Sequence, residues 1–311
     1  MAPAGEWALL EKIRRKIPRR LQEPYRLRDD AGLMRIQGAH WVFAADMLVE
    51  GVDFRYGHAK PEEVGHKALG INLSDLAAMG AKPVAYLITL GMPRRFSTAW
   101  VTRFYDGLNR LARRYRMTCL GGDLSEAKQW TASITILGRC ENAPIARQGA
   151  RPGDILYVTG SLGGSLRRHH LGFQPRVEQG LYLSSKMKPH AMIDISDGLV
   201  QDLGHMLRQS KAGAALRLDQ IPVSKDAFQM AGGDPAKALR RALTDGEDFE
   251  LLFAIPVRQQ KQLETGWQKR FPRVPLRAIG HILKGRGIQW MDRQKHVKNP
   301  AAGRTGYEHF R

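Results

Sequence analysis

The stretch at residues 192–199, MIDISDGL, puts Asp194 and Asp197 three residues apart, where an apolar run gives way to a helical pattern. Ile193-Asp194-Ile195 reads as the end of a strand. Asp197 or Gly198 reads as the start of a helix carrying Leu199, Leu203, Met206 and Leu207. Both carboxylates can then point at one site, where the helix N-terminus adds amide donors for an anion. An N-cap aspartate with an acidic neighbour is the plainer reading, and this stretch alone leaves both open.

Working outward, the same mixture of strand and helix recurs on either side. Residues 155–158, 249–255 and 278–282 read as strands, and 159–165 (TGSLGGS) as a turn. Residues 222–239 carry no clear pattern. Glycine and proline in 147–153 (RQGARPG) mark a boundary, giving expected domains 1–149 and 150–311. Before it, residues 40–46 (HWVFAAD) read as a strand that ends at Asp46. Pro61-Glu62-Glu63 opens a helix, with proline in its first turn and acids near its positive end, and the helix runs to a turn at Gly80. Residues 84–90, 117–120 and 132–137 are further strands. Ser97 caps a helix with the stripe Trp100, Phe104, Leu108 and Leu111. Trp7, Leu10, Ile13 and Ile17 predict a docked amphipathic helix at the N-terminus. Each half thus holds several strands and at least two helices, an α+β fold in two comparable lobes.

A chain of 311 residues favours two domains, and 43% hydrophobic residues exclude wholesale disorder. Lys and Arg number 49 against 30 Asp and Glu, so the net charge of +19 attracts anions. There is no RNA-recognition signature and no Cys/His finger spacing, so nucleic acid is not an expected partner and a soluble basic surface is the plain reading. Cys119 and Cys140 lack metal-type spacing and fit a reducing compartment. No apolar run reaches the length of a membrane span and the N-terminus lacks an apolar signal core, so a cytoplasmic location is expected.

Against this basic background six aspartates lie in apolar or glycine-rich surroundings: Asp30, Asp46, Asp75, Asp123, Asp194 and Asp197. A carboxylate taken out of water needs a cation or hydrogen-bond donors. With no matching arginine beside them, the acids point to divalent metal, and oxygen clusters with glycine turns are how proteins hold Mg²⁺ against phosphates. Gly121-Gly122-Asp123, following a strand, would let backbone approach a phosphate closely, although an ordinary turn has the same composition. TGSLGGS lacks the Gly-Lys-Ser/Thr ending of a phosphate loop and reads as structural. Gly246-Glu247-Asp248 reads as an acidic turn. The ten histidines form no HExxH or HxH pattern, and no Ser/His or Cys/His nucleophile stands out.

Taken in order, several stretches closely resemble the thiamine-monophosphate kinases, of the superfamily that includes aminoimidazole ribonucleotide synthetase. They are DDAGLM (29–34), DMLVEGVDF (46–54), GHKALGINLSDLAAMGAKP (65–83), GGD (121–123), ARPGDILYVTGSLG (150–163), MIDISDGLVQDLGH (192–205), DGEDFELLF (245–253) and GYEHF (306–310). The resemblance implies an N-terminal lobe whose β-sheet pairs with its twin in a homodimer, and a C-terminal α/β lobe. It also implies that ATP lies between the lobes with several Mg²⁺ ions, K⁺ being left open. The implied reaction carries the γ-phosphoryl group of ATP to thiamine monophosphate. Joining two anionic phosphates needs charge neutralisation and in-line positioning more than a nucleophilic side chain.

Carried onto this chain, the resemblance makes Asp30, Asp46, Asp75, Asp123 and Asp194 metal ligands, with Asp197 close by. Gly122, Asp123, Arg147 and Ser196 match positions that hold ATP, with Tyr105 along that groove. Asp53, Glu247 and Tyr307 match the substrate region, where an aromatic ring and a carboxylate suit a cationic thiazolium–pyrimidine. Four departures stand out. Ala44 and Ala45 replace the usual hydroxyl residues before Asp46, and Asp53 replaces a histidine. Leu124-Ser125-Glu126-Ala127 replaces Thr-Thr-Arg-Gly, and Asp245 replaces a glycine. Alternatives are another ATP-using enzyme of the superfamily, or a catalytically impaired nucleotide-binding homologue.

Overall fold

A computed structural model describes residues 6–19, 22, 28–293, 295–303 and 306–307. The N-terminal half comprises α1 (Glu6–Lys16), β1 (Gly32–Ile36), β2 (Ala39–Val49), α2 (Pro61–Ala78), β3 (Lys82–Met92), α3 (Thr98–Arg114), β4 (Thr118–Glu126) and β5 (Thr131–Cys140). The C-terminal half begins with β6 (Asp154–Thr159), α4 (His169–Gly172), α5 (Val177–Tyr182), β7 (Ala191–Asp194), α6 (Leu199–Ser210), β8 (Gly213–Arg217) and α7 (Lys225–Met230). It ends with α8 (Pro235–Thr244), β9 (Leu251–Pro256), α9 (Gln260–Arg270), β10 (Leu276–Leu283), β11 (Gly287–Asp292) and β12 (Lys295–His296). The strands form two sheets, β1-β2-β5-β3-β4 and β12-β11-β8-β10-β6-β9-β7, which is the α+β architecture the alternating pattern predicts.

Helix α2 is the centre of the first lobe. Val64, Leu69, Leu73 and Leu76 on it are fully buried, as are Val42, Ile134 and Ile136 of the sheet. Against α3 it packs backbone to backbone. A Cβ at Gly65 would fall 1.9 Å from the Phe104 carbonyl oxygen, and one at Gly107 would fall 1.9 Å from that of Glu62. The opposite face of this sheet is open. Met34, Ile36, Met47 and Leu87 stand on it with 38–57% of their surface exposed. Register places Met47, Ser133, Thr89 and Asp123 in one row across the strands, and Asp46, Ile134, Ile88 and Gly122 in the next.

Several expectations are corrected. Strand β2 does not stop at Asp46 but runs on to Val49. Gly121-Gly122-Asp123 is not a turn; it lies within β4, which pairs in parallel with β3. Gly122 is required there because a Cβ would come 1.6 Å from the Ile88 carbonyl oxygen. Helix α1 forms, but Leu10 and Ile13 remain exposed, so these two do not dock; the side chain of Trp7 lies outside the described residues. The patternless segment 222–239 holds α7 and the first half of α8, capped by Ser224 and Asp234. TGSLGGS is structural as expected. The Gly163 amide donates to both Asp248 carboxylate oxygens at 2.9 and 3.0 Å, and the Gly164 amide donates to Asp245 at 3.1 Å.

Candidate active site

The segment before β1, residues 45–48 of β2, the end of β7, one face of α2 and the turn at 246–249 meet around a cleft of about 330 Å³. Of the residues singled out in the sequence, Asp30, Asp46, Asp53, Asp75, Arg147, Asp194, Ser196, Asp197, Glu247 and Tyr307 all line it. One carboxylate oxygen from each of Asp30, Asp75 and Asp194 lies within 4.8 Å of the others. Asp194 comes from the C-terminal end of a buried strand and Asp75 from the last turn of α2, so packing of the two lobes brings them together.

Arginine 147 closes one side. Its Nε donates to Asp30 Oδ1 at 2.9 Å, Nη2 donates to the same oxygen, and its backbone amide donates to Asp29 at 3.1 and 3.2 Å. The Ser74 hydroxyl donates to Asp194 Oδ2 at 2.6 Å, and Asn72 Oδ1 accepts from the Asp46 amide at 3.1 Å. One guanidinium does not balance this many acids. Burial, with repulsion from Asp30, pushes Asp194 up to about 8. Burial likewise raises Asp46 to about 6, and burial with repulsion from Asp46 and Asp194 lifts Asp75 well above the carboxylate range. Burial works against the charge on Arg147, but Asp30 beside it outweighs that and holds it firmly protonated.

This donor set fits a divalent cation. Asp30 Oδ2 is buried with no hydrogen-bond donor, its neighbours offer further oxygens within 4.8 Å, and all are hard carboxylate donors of the kind Mg²⁺ takes. Asp197 belongs to a separate group, with Asp202 and His205. Asp202 Oδ2 accepts from the amides of Asp197 and Gly198 at 3.1 Å each. The two amides that the sequence offered to an anionic ligand are therefore engaged by the helix's own first turn.

The opposite wall carries Lys67, Asp53, Glu247, Phe249 and Tyr307. The turn that presents Glu247 is tied to the 194–198 loop: the Glu247 amide donates to the Ser196 carbonyl at 2.7 Å, and the Tyr307 amide to that of Asp197 at 2.9 Å. The Asp53 carboxylate is turned onto the Val49 amide at 2.7 Å, so it braces its own turn. Of the two alanines before Asp46, only Ala45 lines the cleft, whereas Ala44 is buried in the core. Three expected residues are not brought to this cleft. Gly122 stands three strands away from Asp46, roughly 14 Å at the usual strand spacing. Asp123 is exposed in the row that crosses the open sheet face, and Tyr105 lies on α3 beside Phe104. Sequence reasoning missed Asp29, Ser74, Asn72, Lys67 and Asp202. The doublet Asp29-Asp30 was the available signal for the first.

Residues 28–140 match the family model described as AIR synthase related protein, N-terminal domain. The thiamine-monophosphate kinase of Rhodopirellula baltica is 41% identical over 249 residues, covering 79% of this chain and 77% of its own. The chain belongs to the thiamine-monophosphate kinases. That of Buchnera aphidicola subsp. Schizaphis graminum is 33% identical over 309 residues, with 91% of each chain covered. Among solved structures, AaThiL complexed with AMPPCP and TMP superposes with a TM-score of 0.82 at 28% identity, covering 98% of this chain and 97% of that one. Family and fold thus coincide with the resemblance drawn from the motifs; of the thirteen positions to which the resemblance assigned ligands, ten line the cleft and Gly122, Asp123 and Tyr105 do not.

Proposed function

We propose that this protein transfers the γ-phosphoryl group of ATP to thiamine monophosphate, giving ADP and thiamine diphosphate. The observation that carries the reading is the single cleft in which the Asp30–Asp75–Asp194 oxygens face a wall bearing Glu247 and Tyr307. Asp30, Asp46, Asp75 and Asp194 would hold Mg²⁺, which neutralises phosphate charge when bound. Arg147 fixes Asp30 and adds a fixed positive charge beside the phosphates, and Ser74 orients Asp194. Ser196, on the loop between β7 and α6, offers a hydroxyl to ATP. The carboxylate of Glu247 and the ring of Tyr307 receive the cationic acceptor at the other end. No side chain need form a covalent bond, because attack by the acceptor phosphate requires alignment and charge neutralisation.

The division at residues 149 and 150 separates the two lobes in this reading. The open sheet face is where a second copy docks as a homodimer, which would make Asp123, with Gly122 and Tyr105, available to the partner's cleft. No helix among the described residues is long and apolar enough to cross a membrane, and we infer a cytoplasmic location. Purified protein incubated with ATP, Mg²⁺ and thiamine monophosphate should release ADP and thiamine diphosphate in equal amounts. ADP without the diphosphate would overturn the acceptor, and neither product would point to an impaired homologue. Leu87→Asp on the open face should convert a dimer to a monomer in sedimentation; an unchanged sedimentation coefficient would remove the dimer through this face.

A further inference from the structure

Among the described residues, Lys67 is the one lysine buried in the core of the first lobe, with a side chain 0% exposed. Its ammonium donates to the Asp53 carbonyl at 2.9 Å and to Glu247 Oε1 at 2.5 Å, an ion pair that spans 180 residues and joins the two lobes. Burying an ammonium and a carboxylate is costly and gives little net stability over an apolar pair. The turn it holds is itself strained: Glu247 has φ +64 and Phe249 φ +51, backbone angles that side-chain-bearing residues rarely adopt. The other oxygen, Glu247 Oε2, is buried with no donor in contact, and Glu247 and Lys67 both line the cleft. A buried acceptor left without a donor costs free energy until something supplies one.

We propose that Lys67 is a positioning residue that fixes Glu247 so that Oε2 receives an N–H donor of the acceptor substrate, selecting acceptors that carry one. This rests on the reading above that the acceptor is thiamine monophosphate, whose pyrimidine ring bears an amino group. One oxygen of Glu247 is committed to Lys67, so the carboxylate cannot rotate and only the second oxygen remains for a ligand. The strained turn then serves to hold that oxygen at a fixed distance from the aspartates.

The test uses the full-length protein with two acceptors: thiamine monophosphate, and the phosphate ester of hydroxyethylthiazole, which has no N–H group. Lys67→Met keeps the length of the side chain and removes the charge. It should raise KM for thiamine monophosphate about 10- to 100-fold, the scale of one charge-assisted hydrogen bond. KM for ATP and kcat should stay within about threefold, and KM for the thiazole ester should not change, since that ester never used the bond. Glu247→Gln should show the same pattern, and the double variant should be no worse than either single one. It also carries the test if Lys67→Met does not fold. Equal losses for both acceptors, or a matching rise in KM for ATP, would reduce Lys67 to a structural tie and overturn the inference. Wild-type protein that makes no thiamine diphosphate would instead overturn the proposed function.

Discussion

Replacing Asp194 with asparagine should stabilise the metal-free protein while abolishing its activity. Asp194 is 3% exposed and lies among Asp30, Asp46 and Asp75, and burial with repulsion from Asp30 and Asp46 lifts it to about 8. Its unfolded value is ordinary, so the sign is clear. A folded-state value above the unfolded one means stability is fully present below about pH 4 and is lost as pH rises through about 8. Carrying this group at pH 7 costs about 4 kcal/mol if it acts alone; shared across neighbours that relax together, about 2 kcal/mol is a fair allotment. Asparagine keeps an oxygen to accept from Ser74 and carries no charge. In EDTA at pH 8, Asp194→Asn should therefore melt about 4–8 °C above wild type, taking about 2–4 °C per kcal/mol for a domain of this size. At pH 5 the gain should shrink to a degree or two. Saturating Mg²⁺ with ATP should reverse the order, because only wild type gains the bound ligand's stabilisation. Differential scanning fluorimetry at the two pH values measures all of this. A variant that melts below wild type in EDTA at pH 8 would refute the electrostatic account of the cleft.

Gly65→Ala should destabilise the protein by about 1–3 kcal/mol in urea, because the helix-propensity gain of about 1 kcal/mol is smaller than the cost of prising α2 from α3. Its contact at 1.9 Å is with backbone, which cannot rotate aside. Arg147→Met should lower the melting temperature sharply in EDTA, as removing one partner of a buried pair costs about 3–5 kcal/mol. Excess Mg²⁺ should recover much of that loss by supplying Asp30 with another cation, while KM for ATP stays raised. A variant whose melting point ignores Mg²⁺ would show that Asp30 does not meet the metal.

What the sequence made legible was local. Strands such as β6 and β9, and helices α2, α3 and α6, declare themselves through apolar spacing and caps within a few residues. Helix α9 did not, because it buries only Leu263 and Trp267, too few to mark a stripe. Strand β8 (GAALR) is short and built largely of glycine and alanine, so it lacks a strand signature. The acids were visible because carboxylates between Ile, Leu and Met violate the usual rule of charge in water. Lys67 was invisible for the converse reason: a lone lysine in a helix reads as solvated, and its burial depends on a glutamate 180 residues away. Asp123 was legible as a motif but not as a position, since strand order decides which face and which edge it occupies.

The cleft opposes two kinds of buried charge, and α2 carries both. Lys67 and Asp75 are eight residues apart, roughly 12 Å along the axis, with Ile71 between them on the same cleft-facing stripe. A lysine at one end grips the carboxylate for a cationic ring, and an aspartate at the other belongs to the cluster for phosphate and metal. The separation between the two ends is thus set by helix rise and not by loops. Rigidity follows from the same helix, because Gly65 and Gly107 let it touch α3 backbone to backbone while its Val64, Leu69, Leu73 and Leu76 are buried in the core. The lobe that lacks such a helix at the cleft presents its groups on turns, and there Glu247 needs the lysine to hold it still. Charge that destabilises the empty protein and strain in the 247–249 turn are both tolerable for the same reason. A deeply packed helix resists their pull, so the site remains preorganised before any ligand arrives.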